Sequence, residues 1–362
     1  MTLGLYTMLP PTDAARAAVR RMNPDAMLLL DNALPWAAEL PDVYTIFRCY
    51  GLFPDNLTLP TTPDECFARG IEKGMALAYL VKFSGVKAVV GLNERHPANQ
   101  YDAERIGAFE AGVASVVVPR GLDFVAFNWS VGYSHADRVA WAWAELRRRC
   151  IALYLDMEGI ILGYHGYTKT GQDAGVDWME NRPEIFYCAE FNLQGIPWPE
   201  WGLTECGYDN GVQDANGWRH NIGEAADAAY LRRLPSLTPR AKFRCIFAWR
   251  CTDDWAAKGF EVEGAALVEQ AITETNAEVT PMPETWDRSA IWASYQSRLS
   301  VFPAFEKYLA YHPELGGWID AAEYDVGGIR LRGAAGGLVW ARIGDWGNVR
   351  HATYLAQLPL AP

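Results

Sequence analysis

The sequence lacks the long apolar segments that membrane insertion and secretion require. No stretch of about eighteen consecutive apolar residues occurs, so the sequence predicts no transmembrane helix and no membrane partner. The segment from Met1 to Pro11 has neither a basic region nor an extended apolar core, so we expect no signal peptide. The sequence therefore favours a cytoplasmic protein. A phage-derived protein that is released, or associated with a virion, by other means is the alternative.

Motifs that would assign a cofactor, a metal site or an esterase triad are also missing. The glycine-rich patterns GxGxxG and GxxxxGK[ST] do not occur, nor do HExxH and GxSxG, and the six histidines are scattered along the chain. The seven cysteines are odd in number and form no CxxC pair, which is typical of buried free thiols in a reducing compartment. The sequence therefore predicts no metal and no cofactor.

Basic residues are too few for nucleic-acid binding. The chain has 32 Lys and Arg against 44 Asp and Glu, a formal net charge of -12, whereas binding to a phosphate backbone requires a basic surface. Such a charge fits neutral or cationic ligands. The 15 Trp and 17 Tyr residues fit the stacking of sugar rings and, equally, a large apolar core. The oligomeric state is not predicted.

Eight short apolar runs, each followed by a stretch with helical spacing, predict a (β/α)8 barrel. The runs contain many Val, Ile, Phe and Tyr residues and few charges, as expected of parallel strands buried on both faces. A capping box, Thr62-Pro63-Asp64-Glu65, opens one of the helices between them. A doubly wound sheet is the alternative, but the glycine-rich turn typical of it is missing. The predicted strands are Leu3–Met8, Ala26–Leu30, Val43–Cys49, Val86–Leu92, Leu122–Asn128, Gly159–His165, Trp201–Glu205 and Phe243–Trp249.

A proline-rich joint, Thr280-Pro281-Met282-Pro283, predicts a division into two domains. Residues 1–279 form the expected barrel, whose usual size is about 250 residues. Residues 284–362 are expected to form a small α+β module, with a helical part from Trp286 to Tyr311. The module is either a cap on the barrel or a carbohydrate- or cell-wall-binding module. Its β part and tryptophans are Ile329–Arg332, Leu338–Ile343, Trp318, Trp340 and Trp346.

Two glutamates follow predicted strands directly. Asn93-Glu94 comes after the fourth strand, and Thr204-Glu205 ends the seventh. Active sites of such barrels lie at the carboxyl ends of the strands, so both carboxylates are expected to face one cleft. Retaining glycosidases need two carboxyl groups about 5–5.5 Å apart. A single glutamate at a strand end is more often a solvated loop residue than a catalytic one, whereas two at these positions favour catalysis.

These strand ends resemble those of a large clan of retaining (β/α)8-barrel glycoside hydrolases, which includes cellulases, β-galactosidases and β-xylosidases. Its members carry Asn-Glu after strand four and Thr-Glu-x-Gly around strand seven, as this sequence does. His165-Gly166-Tyr167 is similar to the clan's His-x-Tyr on strand six, and Phe247-Ala248-Trp249 to the aromatic segment on strand eight. The sequence departs from the pattern at Arg95, where the clan usually has proline, and has no arginine ending strand two. A remote branch of the clan fits these departures.

The resemblance implies a role for each strand-end residue. Glu94 would be the acid/base, with a pKa raised by the neighbouring carboxylate, and Glu205 the nucleophile, kept ionised by hydrogen-bond donors. Asn93 would bind the sugar 2-hydroxyl, and Trp249 would stack on the sugar face. Taken alone, His165 could also be a core histidine. The other residues expected to bind substrate are Arg48, Asn128, Tyr164, His165 and Tyr167.

The resemblance thus implies an O-glycosyl hydrolase that acts on an oligo- or polysaccharide. Two alternatives stay open. One is a phage-type, endolysin-like glycosidase that cleaves bacterial cell wall. The other is a carbohydrate-binding or virion protein that keeps the barrel without turnover, although a pure binder has no need of both Glu94 and Glu205.

Overall fold

The computed structural model describes most of the barrel and part of the C-terminal region. The described residues are 3–130, 133, 135–155, 157–168, 183, 187–209, 216–277, 324–326, 329–334, 337–342 and 349–352. The chain divides into two compact units, one formed by residues 1–187 and 199–281, the other by residues 188–198 and 282–362. Whether the second unit is a cap or a binding module stays a prediction.

The first unit is a closed barrel of eight parallel strands in the order in which they occur in the chain. This confirms the (β/α)8 barrel, and each strand overlaps the apolar run that predicted it. All residues of β1, β4, β6, β7 and β8 are buried, because helices cover the outside and side chains fill the interior. The strands are β1 Gly4–Thr7, β2 Ala26–Leu30, β3 Tyr44–Arg48, β4 Ala88–Val90, β5 Asp123–Trp129, β6 Ile160–Thr168, β7 Trp201–Tyr208 and β8 Arg244–Arg250.

Three helices between the strands begin at side-chain caps that the sequence supplies. In α3 the Thr62 side chain accepts from the Glu65 amide while Glu65 reaches back to the Thr62 amide, with Pro63 in the first turn, as the capping box predicts. In α4 the Asn99 side chain accepts from the Asp102 amide. The described helices are α1 Asp13–Met22, α2 Trp36–Glu39, α3 Pro63–Val81, α4 Gln100–Val117, α5 Ala136–Ala152, α6 Cys188–Leu193, α7 Trp218–Asn221, α8 Glu224–Leu237, α9 Asp253–Ala257 and α10 Ala266–Ala277.

The second unit contains a four-stranded antiparallel sheet in the order β12-β11-β10-β9. Its strands are β9 Tyr324–Val326, β10 Ile329–Ala334, β11 Gly337–Arg342 and β12 Arg350–Ala352. The two strands that the sequence predicts here overlap β10 and β11. Trp340 on β11 is buried, and the Arg350 guanidinium lies 5.9 Å from its ring centre. The predicted helical part from Trp286 to Tyr311 lies outside the described residues, as do Trp318 and Trp346.

All seven cysteines are free, and six of them are buried. No described helix combines the length and the apolar character that crossing a membrane would take.

Candidate active site

A cavity of about 510 Å³ opens at the carboxyl ends of the barrel strands. Because the strands are parallel, side chains at or just after their ends meet there. The strand-end residues that line it include Tyr6, Arg48, Glu94, Tyr167, Glu205 and Phe247. The sequence singled out four of these six, and the structure brings those four into one cleft.

Glu205 on β7 is buried and held by two donors. Arg48 donates from Nη1 to its Oε1 over 2.9 Å, and the Tyr167 hydroxyl donates to its Oε2 over 2.8 Å. Both bonds favour the ionised carboxylate, which can only accept. Burial, and then the Glu205 charge, raise the pKa of Tyr167 well above its usual value, so Tyr167 stays a hydrogen-bond donor. Donors from β3 and β6 thus fix the position of the Glu205 carboxylate at the cavity.

Arg48 links Glu205 to two further polar side chains. Its Nη2 donates to Asp55 Oδ1 over 3.1 Å, and Asn93 Nδ2 donates to the same oxygen over 3.3 Å. The other amide atom of Asn93, Oδ1, is buried and has no partner among the described residues. A buried acceptor that is left unpaired costs free energy, so this oxygen suits a ligand hydroxyl. The sequence treated Arg48 as an ordinary substrate contact, whereas here it pairs with the candidate nucleophile.

Glu94 and Glu205 approach each other through His165. The His165 Nδ1 atom lies 2.9 Å from Glu94 Oε1 and 3.5 Å from Glu205 Oε2. These two oxygens are therefore at most 6.4 Å apart, the sum of the two distances. Inverting glycosidases separate their carboxyl groups by about 6.5–9.5 Å and retaining ones by about 5–5.5 Å. The shared imidazole nitrogen therefore holds the two carboxylates at one cleft, as both kinds of glycosidase require.

The pKa of Glu94 is shifted in the opposite direction from the one expected. Burial raises the pKa of Glu94, but the hydrogen bond and charge of His165, with smaller effects of His96 and Arg48, outweigh it, so the pKa is lowered. For His165, burial lowers the pKa, but the Glu205 charge and the bond to Glu94 outweigh it, so the pKa is raised. The expected raised pKa of Glu94 is wrong, because the hydrogen bond and charge of His165 stabilise the Glu94 carboxylate as an anion.

The backbone after β4 turns sharply to present Glu94 to the cavity. Glu94 has a φ of 50°, and Phe127 and Asn128 near the end of β5 have φ values of 74° and 42°. Left-handed conformations are uncommon for residues other than glycine, so surrounding contacts must hold them. The Glu94 amide donates to the Asn128 carbonyl over 3.0 Å. The Glu94 side chain itself remains 44% exposed, as a group that reacts with a ligand must be.

Asn128 does not reach the cavity. It is completely buried, and its Nδ2 donates to the Leu92 carbonyl at the end of β4 over 3.2 Å. Its side chain packs against Gly163, where a Cβ atom would lie 2.2 Å from the amide oxygen. The left-handed backbone at this position turns the side chain toward β4. Asn128 therefore supports the strand end and is not a substrate contact of this cavity.

Tyr164 also lies away from the cavity. Successive side chains of a strand point to opposite faces, so Tyr164 points away from the side that His165 and Tyr167 share. It is fully buried, and its ring contacts the Tyr187 ring edge-on at 5.9 Å. Of the three donors expected at Glu205, only Tyr167 forms a hydrogen bond to it, and His165 lies nearby.

Trp249 is not the aromatic residue that the cavity exposes. It is completely buried against Trp36, with ring centres 6.0 Å apart, whereas Phe247 of the same strand lines the cavity. The register between β1 and β8 shifts between Ile246 and Arg250, because β8 has extra residues there. Such a bulge breaks the two-residue alternation that would have placed both aromatics on one face.

Sequence reasoning missed several residues that line the cavity. Asp31 follows β2 directly, so the strand-end rule could have found it, and its Oδ1 accepts from the Tyr50 amide over 2.9 Å. Asp55 lies in the loop after β3, and Trp255 lies on α9; neither carries a local sequence signal. Loop lengths and three-dimensional contacts, rather than any motif, bring these two residues to the cavity.

Among the described residues, no group of three or more His, Cys, Asp or Glu side chains is arranged to hold a metal ion. The described polar groups at and beside the cavity include carboxylates, an imidazole, a guanidinium and a phenol. The absence of a metal and of a cofactor stays a prediction of the sequence.

Comparison with known proteins identifies similar folds but no family. No protein-family model matches the sequence, and no curated protein matches it. Among solved structures, a GH2 β-galacturonidase from Eisenbergiella tayi is 12% identical with a TM-score of 0.51. The match covers 78% of this chain and 52% of that chain.

Two other solved structures are similar over nearly their whole length. A GH5-4 broad-specificity endoglucanase from Ruminococcus champanellensis is 12% identical, covers 75% of this chain and 96% of its own, and has a TM-score of 0.46. A GH128 endo-β-1,3-glucanase from Amycolatopsis mediterranei is 12% identical, with coverages of 76% and 98% and a TM-score of 0.42. At 12% identity and a TM-score of 0.51, the likeness to the β-galacturonidase supports the fold and not an activity.

Proposed function

We propose that this protein is a glycoside hydrolase that cleaves O-glycosidic bonds with retention, using Glu205 as nucleophile and Glu94 as acid/base. The observation that carries the proposal is the sharing of His165 Nδ1 by the two carboxylates at the cavity. It supports the proposal because a double displacement needs two carboxylates at one cleft. The two carboxylates also differ in environment, which is how such sites separate the two roles. Glu205 is buried with two donors, while Glu94 is 44% exposed.

In the first step, a Glu205 carboxylate oxygen attacks the anomeric carbon as the bond to the leaving oxygen breaks. Glu94 protonates that oxygen, and a glycosyl ester forms on Glu205. In the second step, the Glu94 carboxylate takes a proton from water, which attacks the anomeric carbon and releases Glu205. Asn93 Oδ1, the unpaired acceptor, accepts from a sugar hydroxyl throughout.

The lowered pKa of Glu94 raises the question of where its proton comes from. Before substrate binds, the proton resides on His165, because the pKa of the imidazole is raised while that of Glu94 is lowered. A sugar that covers the exposed Glu94 side chain removes water from it, which raises the pKa of a carboxyl group. The proton then moves from Nδ1 to Glu94 Oε1 along the 2.9 Å hydrogen bond. His165 is left neutral beside Glu205.

The charge of the cavity favours neutral or cationic sugars. Its described lining includes the carboxyl groups of Asp31, Asp55, Glu94, Glu205 and Asp209, while its one described cationic side chain is Arg48. Arg48 is already paired with Glu205 and Asp55. A uronic acid would therefore add a negative charge without a free cationic partner.

A panel of aryl glycosides tests the proposal. Neutral glycosides and glucosaminides should be hydrolysed, and the corresponding uronides at least about tenfold more slowly, since 1.4 kcal/mol of repulsion gives that factor. Glu205→Gln should abolish turnover, while Asp254→Asn, on α9 and outside the cavity lining, should not. Turnover of no glycoside, or undiminished turnover in Glu205→Gln, would refute the proposed function. Preferred hydrolysis of a uronide would refute only the charge selectivity.

A further inference from the structure

A carboxyl group outside the cavity lies beneath the strand ends that carry Glu94. Glu110 on α4 is completely buried, and its Oε1 accepts two backbone hydrogen bonds. One comes from the Leu92 amide just after β4 over 2.9 Å, and the other from the Phe127 amide in β5 over 2.8 Å. A single oxygen thus ties the ends of two neighbouring strands together. The proposed reaction makes no use of this group.

The two amides belong to the segments that set the position of Glu94. Leu92 precedes Glu94 by two residues. Phe127 and Asn128 are both left-handed, and the Asn128 carbonyl accepts the Glu94 amide hydrogen over 3.0 Å. Uncommon backbone conformations persist only where neighbouring contacts determine them. Glu110 supplies such a contact to both segments.

The Glu110 carboxyl group packs closely against the backbone at Gly91. A Cβ atom on Gly91 would lie 2.1 Å from Glu110 Oε2, so only glycine leaves room for it. Oε2 has no partner among the described residues. Burial raises the pKa of Glu110 to about 8, although the bonds from Phe127 and Leu92 lower it. The group is therefore neutral at pH 7 and adds no negative charge behind Glu94.

We infer that Glu110 is a positioning residue, which clamps the ends of β4 and β5 so that the Glu94 carboxylate meets His165. The clamp itself is independent of any reaction. Its effect on turnover rests on the proposed function.

The titration of His165 tests the clamp without any substrate. Burial lowers the pKa of His165, but the Glu205 charge and the hydrogen bond and charge of Glu94 raise it, so a displaced Glu94 lets that pKa fall. The probe is imidazole NMR on histidine-labelled full-length protein, with the His165 signal assigned from His165→Asn. Glu110→Met removes the acceptor and should lower the His165 pKa. Glu110→Gln keeps a neutral acceptor and should leave the pKa near the wild-type value.

Asp227→Leu is the matched control. Asp227 lies on α8, is buried, and has a pKa raised to about 7 by burial, but it does not line the cavity. Its loss should leave the His165 titration unchanged. An unchanged His165 pKa in Glu110→Met, or an equal change in Asp227→Leu, would overturn the inference.

Gly91→Ala covers the case in which Glu110→Met fails to fold. Its Cβ displaces the carboxyl group without changing the charge of the protein, and the His165 pKa should again fall. If both variants fail to fold while Asp227→Leu folds, Glu110 is required for the barrel itself and the positioning role is wrong.

Turnover separates this inference from the proposed function. On an aryl glycoside that the wild type hydrolyses, Glu110→Met should lower kcat by about 10²-fold with little change in KM, as expected for a misplaced catalytic group. A shifted His165 titration with unchanged kcat would leave the clamp in place and refute the catalytic role of Glu94 instead.

Discussion

At the scale of single residues, strand ends were predictable and their surroundings were not. Glu94 and Glu205 could be placed at one cleft because parallel strands present their carboxyl ends together. Their shared contact with His165 could not, since it depends on side-chain direction and on the turn after β4. The predicted direction of the shift in the Glu94 pKa was wrong for the same reason. A neighbouring carboxylate alone raises a pKa, but an imidazolium between the two reverses the effect.

Substitution of Glu94 tests its role as proton donor. Glu94→Ala should slow aryl glycosides with poor leaving groups by about 10²–10⁴-fold, because general-acid help is of that size. Activated aryl glycosides, whose leaving groups depart without protonation, should be slowed far less in the first step. Steady-state kinetics over a series of leaving groups measures the contrast. Equal losses across the series would assign Glu94 to binding.

Glu110 predicts a pH dependence of stability. The pKa of Glu110 is about 8 in the folded protein against a usual value of 4.5. Its contribution to the free energy of unfolding is therefore fully present below about pH 4.5. That effect is lost as the pH rises toward 8, and each unit of difference in pKa is worth about 1.4 kcal/mol. Glu110→Gln cannot ionise. Its free energy of unfolding should therefore rise by several kcal/mol relative to that of the wild type as the pH goes from about 5 to about 8. Urea unfolding at several pH values measures this, and parallel profiles for the two proteins would contradict the buried, protonated carboxyl.

At the scale of elements, regular strands were predicted well and irregular ones were not. All eight strands overlap the apolar runs, because strands buried on both faces need such runs. The bulge in β8 carries no apolar signal. It brings Phe247 to the cavity in place of Trp249, which the sequence had predicted there. In α4, a charge among the apolar residues around Glu110 was a usable signal that sequence reasoning passed over.

The β8 correction leads to a prediction about aromatic contacts. Trp255 on α9 lines the cavity and contacts Phe247 edge-on at 5.1 Å. Trp255→Leu should raise KM about 2- to 13-fold, since an aromatic contact is worth about 0.5–1.5 kcal/mol. Trp249→Phe should lower the free energy of unfolding and leave KM unchanged, because Trp249 is buried outside the cavity. A KM effect confined to Trp249→Phe would restore the original assignment of the sugar platform.

At the scale of the whole molecule, the barrel was predictable and the purpose of the second unit was not. The sequence places a joint at Pro281 to Pro283, and the two compact units divide after Pro281. The four short strands of the second unit fit a cap and a binding module equally well. No described residue favours a phage origin or a cell-wall substrate, and both stay predictions of the sequence.

Limited proteolysis tests the two-domain division. If the joint is an exposed linker, a nonspecific protease at low concentration should cut the full chain near Pro281 to Pro283 and leave a barrel fragment that keeps its activity. Mass spectrometry of the fragments identifies the cut. Resistance of the joint under conditions that cut other loops would identify residues 284–362 as an integral cap.

The anomeric configuration of the first product tests the central claim most directly. Proton NMR of a hydrolysis reaction, recorded before the free sugar mutarotates, distinguishes the two anomers. With Glu205 as nucleophile and Glu94 as acid/base, two successive displacements at the anomeric carbon should leave the product in the configuration of the substrate. A product of inverted configuration would contradict the account, because Glu205 could not then be the nucleophile of a double displacement.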